Sequence, residues 1–280
     1  MSNLLPIKKI YCDTKFRRSD SKSTSNFKID LPQTLKLPDN CVFYVDDVSI
    51  PYAWHTVIKN VTDKLYFRLQ LTNVAIALTD YTITLDSKTY SGTQFVAMIV
   101  SKITAVTGGA ATTGSYDNQS KRMSLSVANL DLNFFTDAEL TDPTISWSGT
   151  AYNTANLNSA NELLSNKQLP SPVGNTALPA EYYLMLTPIR NIYMRSPNLS
   201  SFNTIGCNGE SNIIKKIAVN VPPGEMITSY ITSSTDYLDC SRATWKTLEV
   251  ILMDVNGNEI NLYGLNWSFS ILLDIANANI

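Results

Sequence analysis

The chain has 280 residues, 44% of them apolar and 16% charged, with a formal net charge of −2. That balance gives no global electrostatic case for binding nucleic acid or an anionic membrane. Against a usual charged share of about 25%, it leaves an exterior of Asn, Ser and Thr that suits contact with other proteins. The length predicts one large or two small domains.

The opening residues, "MSNLLPIKKIYCDTKFRR", lack the apolar core of a secretory signal. No run of about 18 apolar residues is present, so no membrane span is expected. Cys12, Cys41, Cys207 and Cys240 are widely separated, with no C-x-x-C and no Cys/His cluster, which predicts free thiols rather than zinc ligands. Four N-x-S/T triplets start at Asn60, Asn118, Asn198 and Asn266, as a chain rich in these residues produces by composition. The expectation is a soluble protein made inside a cell.

In chain order, residues 1–26 read as a partly mobile N-terminal arm, basic through Lys8, Lys9, "KFRR" (15–18) and Lys22. Such an arm suits a solvated tail, or contact with nucleic acid or an acidic partner. Phe27–Leu31 alternates as a short strand. Cys41–Ile50 is a second strand, stopped by Pro51. Lys64–Leu71 is a third, with Leu65, Phe67, Leu69 and Leu71 on one face. Then the pattern changes. Tyr81–Leu85 is a strand. "SGTQFVAMIVSKITAVTG" places Phe95, Met98, Ile99, Ile103 and Val106 on one helical face, with Ser91 or Thr93 as cap and Gly108-Gly109 as stop. Lys121–Ala128 is a strand with Met123, Leu125 and Val127 inward. "DLNFF" and "TISW" suggest two more, and "NSANELLSNK" a short helix. Ser165–Glu181 is a Pro/Gly/Asn-rich linker.

Beyond the linker only strands are expected. Residues 182–194 hold one long strand or two, broken near Pro188. Residues 212–221, 225–232 and 245–254 follow. Asn256-Gly257 marks a hairpin that returns through "EINLYG". Residues 266–275 close the chain, with Trp267, Phe269, Ile271 and Leu273 on one face. The eight or nine helix-free strands predict a mainly β protein, a single jelly-roll β-sandwich with an inserted small α+β domain. The boundaries are 1–71 and 179–280 for the sandwich and 72–178 for the insertion, whose ends lie close together.

Candidate chemistry is sparse. Asp46 and Asp47 are adjacent, and in a regular strand they point to opposite faces, which keeps them from sharing a substrate or metal; only a β-bulge would bring them together. "DVNGNE" (254–259) has oxygen ligands at three calcium-loop positions but glycine at the fourth and Leu265 at the twelfth, so a hairpin turn is expected. His55 is the only histidine, which leaves no Ser-His-Asp or Cys-His set to assemble. "GGAATTG" (108–114) lacks the lysine of a phosphate loop and follows a helix. No catalytic, cofactor or metal residues are assigned and no enzyme activity is expected.

The stretch "SNFKIDLPQTLKLPDNCVFYVDDVSIPYAWHTV" resembles the N-terminal block of penton-type minor capsid proteins of virophages, polinton-like viruses and related self-synthesising transposons. Phe27, Leu31, Pro32, Leu37, Pro38, Tyr44, Val45, Asp47, Ile50, Pro51 and Trp54 occupy that family's pattern. "YTITLDSKTYSGTQFVAMIVSKI" is similar to its strand–Tyr–helix unit. "FFTDAEL" with "LNSANELLSNK" is similar to a later segment, with Ser165 where a glycine is common. "LEVILMDVNGNEINLYGLNWSFSILL" is similar to its closing strands.

The resemblance implies a single jelly-roll vertex protein of the virion, assembled in a host cell as a homopentamer. It implies a double jelly-roll major capsid protein as neighbour and the insertion as a possible contact for a host receptor. Within this frame Asp47, Pro51 and Trp54 are the structural motif residues, Asp47 as a hydrogen-bonding group. The alternative is a jelly-roll attachment module that binds a receptor or glycan through its loop tyrosines. An enzyme on the same scaffold is the third reading.

Overall fold

The computed structural model describes residues 8–71, 78–145, 157–164, 180–199, 204–206, 209, 212–230 and 236–275. Among these, the elements run β1 (Lys8–Asp13), β2 (Asn26–Lys36), β3 (Cys41–Pro51), β4 (Lys64–Leu71), β5 (Leu78–Thr84), α1 (Gly92–Val106), β6 (Thr112–Asp117), β7 (Arg122–Val127), β8 (Leu130–Phe134) and α2 (Asp137–Thr141). They continue with β9 (Ala180–Tyr183), β10 (Asn191–Arg195), β11 (Ile213–Ala218), β12 (Met226–Tyr230), β13 (Leu238–Asp239), β14 (Thr244–Met253) and β15 (Ser268–Ile275). The chain divides into two compact units, Met1–Trp54 with Ile189–Ile280, and His55–Pro188.

The first unit is a two-sheet sandwich. One sheet has the order β1-β15-β3-β12, with the short β13 also on β3; the other has the order β11-β10-β14-β2. Setting β13 aside and counting the strands of this unit along the chain, the first sheet runs first-eighth-third-sixth and the second fifth-fourth-seventh-second. That is the strand order of a jelly roll, with two four-stranded layers in which all consecutive strands but the fourth and fifth change layer. Its core is aromatic and bridges the layers. Phe27 of β2 meets Trp267 edge-on at 5.5 Å and Phe269 of β15 at 6.4 Å, and Phe43 of β3 meets Trp245 of β14 at 5.3 Å. The expected inward set Trp267, Phe269, Ile271 and Leu273 is buried throughout.

The second unit leaves the sandwich after its third strand and re-enters before its fourth, which fixes the loop that carries the insertion. Its sheet has the order β5-β4-β8-β7-β6, with β9 paired to β7. Helix α1 starts at Ser91, whose hydroxyl accepts from the Gln94 backbone while the Gln94 side chain accepts from the Ser91 N–H, a reciprocal cap. It stops at Gly108 and Gly109, both at positive φ. Phe95, Val96, Ile99 and Ile103 pack on Leu65, Phe67, Leu69, Met123 and Leu125 of the sheet.

Three sequence expectations are corrected. Lys64–Leu71 is β4 of the second unit, paired with β5 and β8, and not a sandwich strand. Its place is taken by Lys8–Asp13, read as part of the arm, which pairs along its whole length with β15. The stretch near Pro188 holds two strands in different units, β9 and β10, so the boundaries fall at 54/55 and 188/189 instead of 71/72 and 178/179. The physical reason is common to all three: alternation reports that a strand has a buried face, but not which sheet it joins. In "NSANELLSNK" the described residues 158–164 hold a single 3-10 turn, Asn161–Leu163, and residues 165–167 lie outside the described residues. The return of the Asn256-Gly257 hairpin is short, with a bridge between Met253 and Glu259 and backbone hydrogen bonds from Asp254 to Asn258 and from Ile260 to Leu252. In "TISW", Thr144 and Ile145 form a turn and not a strand; Ser146 and Trp147, residues 1–7 and most of the 165–181 linker lie outside the described residues.

Candidate functional site

The outer face of the β1-β15-β3-β12 sheet carries the Asp46–Asp47 pair that the sequence singled out. The key feature is in β3. Along Cys41–Pro51 the buried residues are Cys41, Phe43, Val45, then Val48 and Ile50, so the inward phase slips by one between Val45 and Val48. The register with β15 shows why: Ser270 is opposite Asp47 and Ile271 is opposite Val45, so Asp46 is an extra residue in β3. This β-bulge sets two residues of one strand against one of its neighbour.

The bulge overturns the expectation that the two carboxylates diverge. Ser270 Oγ donates to Asp47 at 2.9 Å and lies 3.5 Å from Asp46. The Lys9 ammonium of β1 bonds Asp46 and sits 3.7 Å from Asp47. Asp46 thus holds the Lys9 ammonium above its usual pKa, with lesser support from Tyr11 and Asp47. Beside the bulge, among the described residues, β12 pairs with Asp47–Pro51 and β13 with Val42–Phe43. Lys215 of β11 reaches across from the other sheet and donates to the Val45 carbonyl at 2.7 Å. Burial pushes the pKa of Lys215 down, against the pull of Asp236, Asp46 and Asp47.

The register extends this centre into a row. Tyr11 is opposite Ser270, Ser270 opposite Asp47, and Asp47 opposite Tyr230. Tyr11 is 77% exposed and Tyr230 68%. In the next row Lys9, Leu272 and Tyr44 are aligned, with Tyr44 against Tyr237 at 4.9 Å. The face is therefore an acidic, hydrogen-bonded centre flanked by exposed tyrosines. Exposed tyrosines are enriched in protein–protein contacts relative to the rest of a protein surface.

Pro51 ends β3 opposite Met226. Tyr52 continues the ladder by donating to Glu225 and accepting from Gly224. Trp54 is buried and stacks on Tyr52 with ring centroids 4.3 Å apart. His55 Nδ1 lies 3.2 Å from Thr89 Oγ1. The Asp254 carboxylate accepts from the Asn256 and Asn258 backbones and the Asn258 amide, closing the hairpin turn. Among the described residues no three His, Cys, Asp or Glu side chains form a metal-binding group, and no helix is long and apolar enough to cross a membrane. Cys12, Cys41 and Cys240 are free and buried, and burial pushes the Cys12 thiol up to about 12; Cys207 lies outside the described residues.

The basic segment after β1 is held down rather than loose. Arg18 pairs with Asp20 and Asp30. Glu259 accepts from Ser23, from Lys22 at 2.9 Å and from Asn26 at 3.3 Å, beside a cavity of about 350 Å³ that Arg17 and Ser25 also line. Burial raises the Glu259 pKa, but the bonds from Ser23, Lys22 and Asn26 together take it below its ordinary 4.5. A carboxylate with a lowered folded pKa adds stability that is present above its unfolded pKa and is lost as pH falls through the folded one. Glu259→Gln is expected to cost about 1–2 kcal/mol at neutral pH. The loss should shrink as pH falls below about 4.5, as read by urea denaturation across pH. An equal loss at acidic and neutral pH would contradict this assignment.

No family model and no curated protein matches the chain. Among solved structures, the selenomethionine-labelled mavirus penton protein is similar over 95% of this chain and 99% of that one, with a TM-score of 0.52 at 10% sequence identity. The likeness spans nearly the whole length of both chains: this chain has a penton-like fold, a jelly-roll sandwich with an α+β unit inserted after its third strand.

Proposed function

We propose that this chain is a structural minor capsid protein of the penton type, in which five copies close a vertex of an icosahedral shell. One observation carries the reading: the coverage of the mavirus penton protein, nearly complete in both directions. A likeness confined to the sandwich would have pointed no further than a jelly roll, a scaffold shared by many functions. The low charge and the tyrosine-flanked outer face are in keeping with a protein whose work is to bind neighbours.

In this role the chain is not an enzyme and needs no cofactor. Its partners are further copies of itself and a double jelly-roll major capsid protein around the vertex, and the inserted unit is available to a host receptor. Its place is the virion, assembled in the host cell. Native mass spectrometry of the purified full chain tests the oligomer: five copies are expected, and a protein that stays monomeric at high concentration contradicts the reading.

A further inference from the structure

The two outer faces of the sandwich differ in charge. On the β1-β15-β3-β12 face the outward positions carry Asp13, Asp46, Asp47, Asp239 and Asp274 against the single ammonium of Lys9. On the β11-β10-β14-β2 face they carry Lys28, Lys36, Arg195, Lys216 and Lys246 against Asp30 and Glu249. Lys28 stands 3.7 Å from Glu249, and Asp30 pairs with Arg18. Lys36, Lys216 and Lys246 are exposed, so the positive charge is spread across this face from β2 to β11. The outer faces of a sandwich point in opposite directions. Each copy consequently presents an acidic surface on one side and a basic one on the other.

We propose that the acidic face, centred on the Asp46–Asp47 bulge and flanked by Tyr11 and Tyr230, docks on the opposite, β11-β10-β14-β2 face of a second copy. This rests on the vertex role proposed above and names the surfaces that join its subunits. A contact between two different faces is heterologous, and repeated by rotation it closes into a ring. The opposite arrangement, like face on like face, would bring two acidic centres together, which is unfavourable. The exposed tyrosines supply contact area at low entropic cost around the charged centre.

The test is native mass spectrometry of the full chain over a dilution series at low and high salt. It compares wild type, Asp46→Asn with Asp47→Asn, Lys216→Glu, and the swap Asp47→Lys with Lys216→Asp. Neutralising the acid pair or reversing Lys216 is expected to raise the concentration needed for assembly at least about tenfold. The swap in one chain is expected to recover most of that loss, and salt should weaken the wild type more than the neutralised variant. Circular dichroism checks that each variant is folded. Nitration of Tyr11 and Tyr230, read by peptide mass spectrometry, needs no variant, and both should be protected several-fold on assembly. If wild type and all folded variants form rings at the same concentration, or if both tyrosines label equally in monomer and ring, the proposed surfaces are wrong and the vertex role stands. If the wild type forms no ring under any condition, both fall.

Discussion

Replacing Phe27 with alanine is expected to destabilise the sandwich by about 3–5 kcal/mol, the usual cost of emptying a buried aromatic site. Phe27 is 1% exposed. It is placed on β2 so that its ring meets Trp267 and Phe269 across the layer gap, and the Trp267 indole is itself fixed by donating to the Thr24 carbonyl at 2.8 Å. Removing the ring opens a cavity at the point where the two sheets are joined, and it also removes edge-to-face pairs worth roughly 0.5–1.5 kcal/mol each beyond their area. Three of the four tryptophans, Trp54, Trp245 and Trp267, belong to the sandwich, so tryptophan fluorescence in urea reports mainly on this unit. A midpoint shift corresponding to less than about 1 kcal/mol would mean that the aromatic cluster is not the joint between the layers.

The second large effect is expected in the inserted unit. Arg68 of β4 donates through Nε and Nη2 to the Asp80 carboxylate of β5 at 2.6 and 2.8 Å, and its guanidinium lies over the Phe135 ring at 5.0 Å. The Asp80 side chain is 0% exposed. Arg68→Met leaves that carboxylate buried without its counter-charge, an arrangement that costs about 3–5 kcal/mol. The pair as a whole contributes far less than this, because desolvation of both charges offsets most of their attraction. Adding Asp80→Leu to Arg68→Met should therefore return stability to within about 1 kcal/mol of wild type. Amide hydrogen exchange on β4 and β5 separates this unit from the sandwich. A double variant no better than the single one would contradict the account.

The sequence made local chemistry legible and left long-range pairing obscure. The cap at Ser91, the stop at Gly108-Gly109, the inward Phe95, Ile99 and Ile103 of α1 (its expected Val106 is exposed and Val96 is buried instead), the Asn256-Gly257 turn and the buried face of β15 all depend on residues a few positions apart. Sheet membership does not. β1 reads "KKIYCD", with two lysines and little alternation, and its strand character comes from β15, more than 250 residues away. β4 alternates as cleanly as any sandwich strand, and only its partners place it in the insertion.

The bulge at Asp46 did leave a trace. The inward residues step by two from Cys41 to Val45, then by three to Val48. Val42 and Tyr44 are apolar on the outer face as well, and they mask the slip when the strand is read as a continuous hydrophobic run. The consequence is functional rather than cosmetic. Two aspartates that a regular strand would send to opposite faces instead share Lys9 and Ser270, and they form the charged centre of the face proposed to join the subunits.

The central claim, that this chain forms the capsid vertex, is tested most directly by an image reconstruction of the particles that contain it. The account predicts five copies of the jelly roll around each five-fold axis, with the sheet carrying Asp46 and Asp47 facing the neighbouring copy. Density for this chain elsewhere on the particle, with the five-fold positions filled by a different protein, would contradict it.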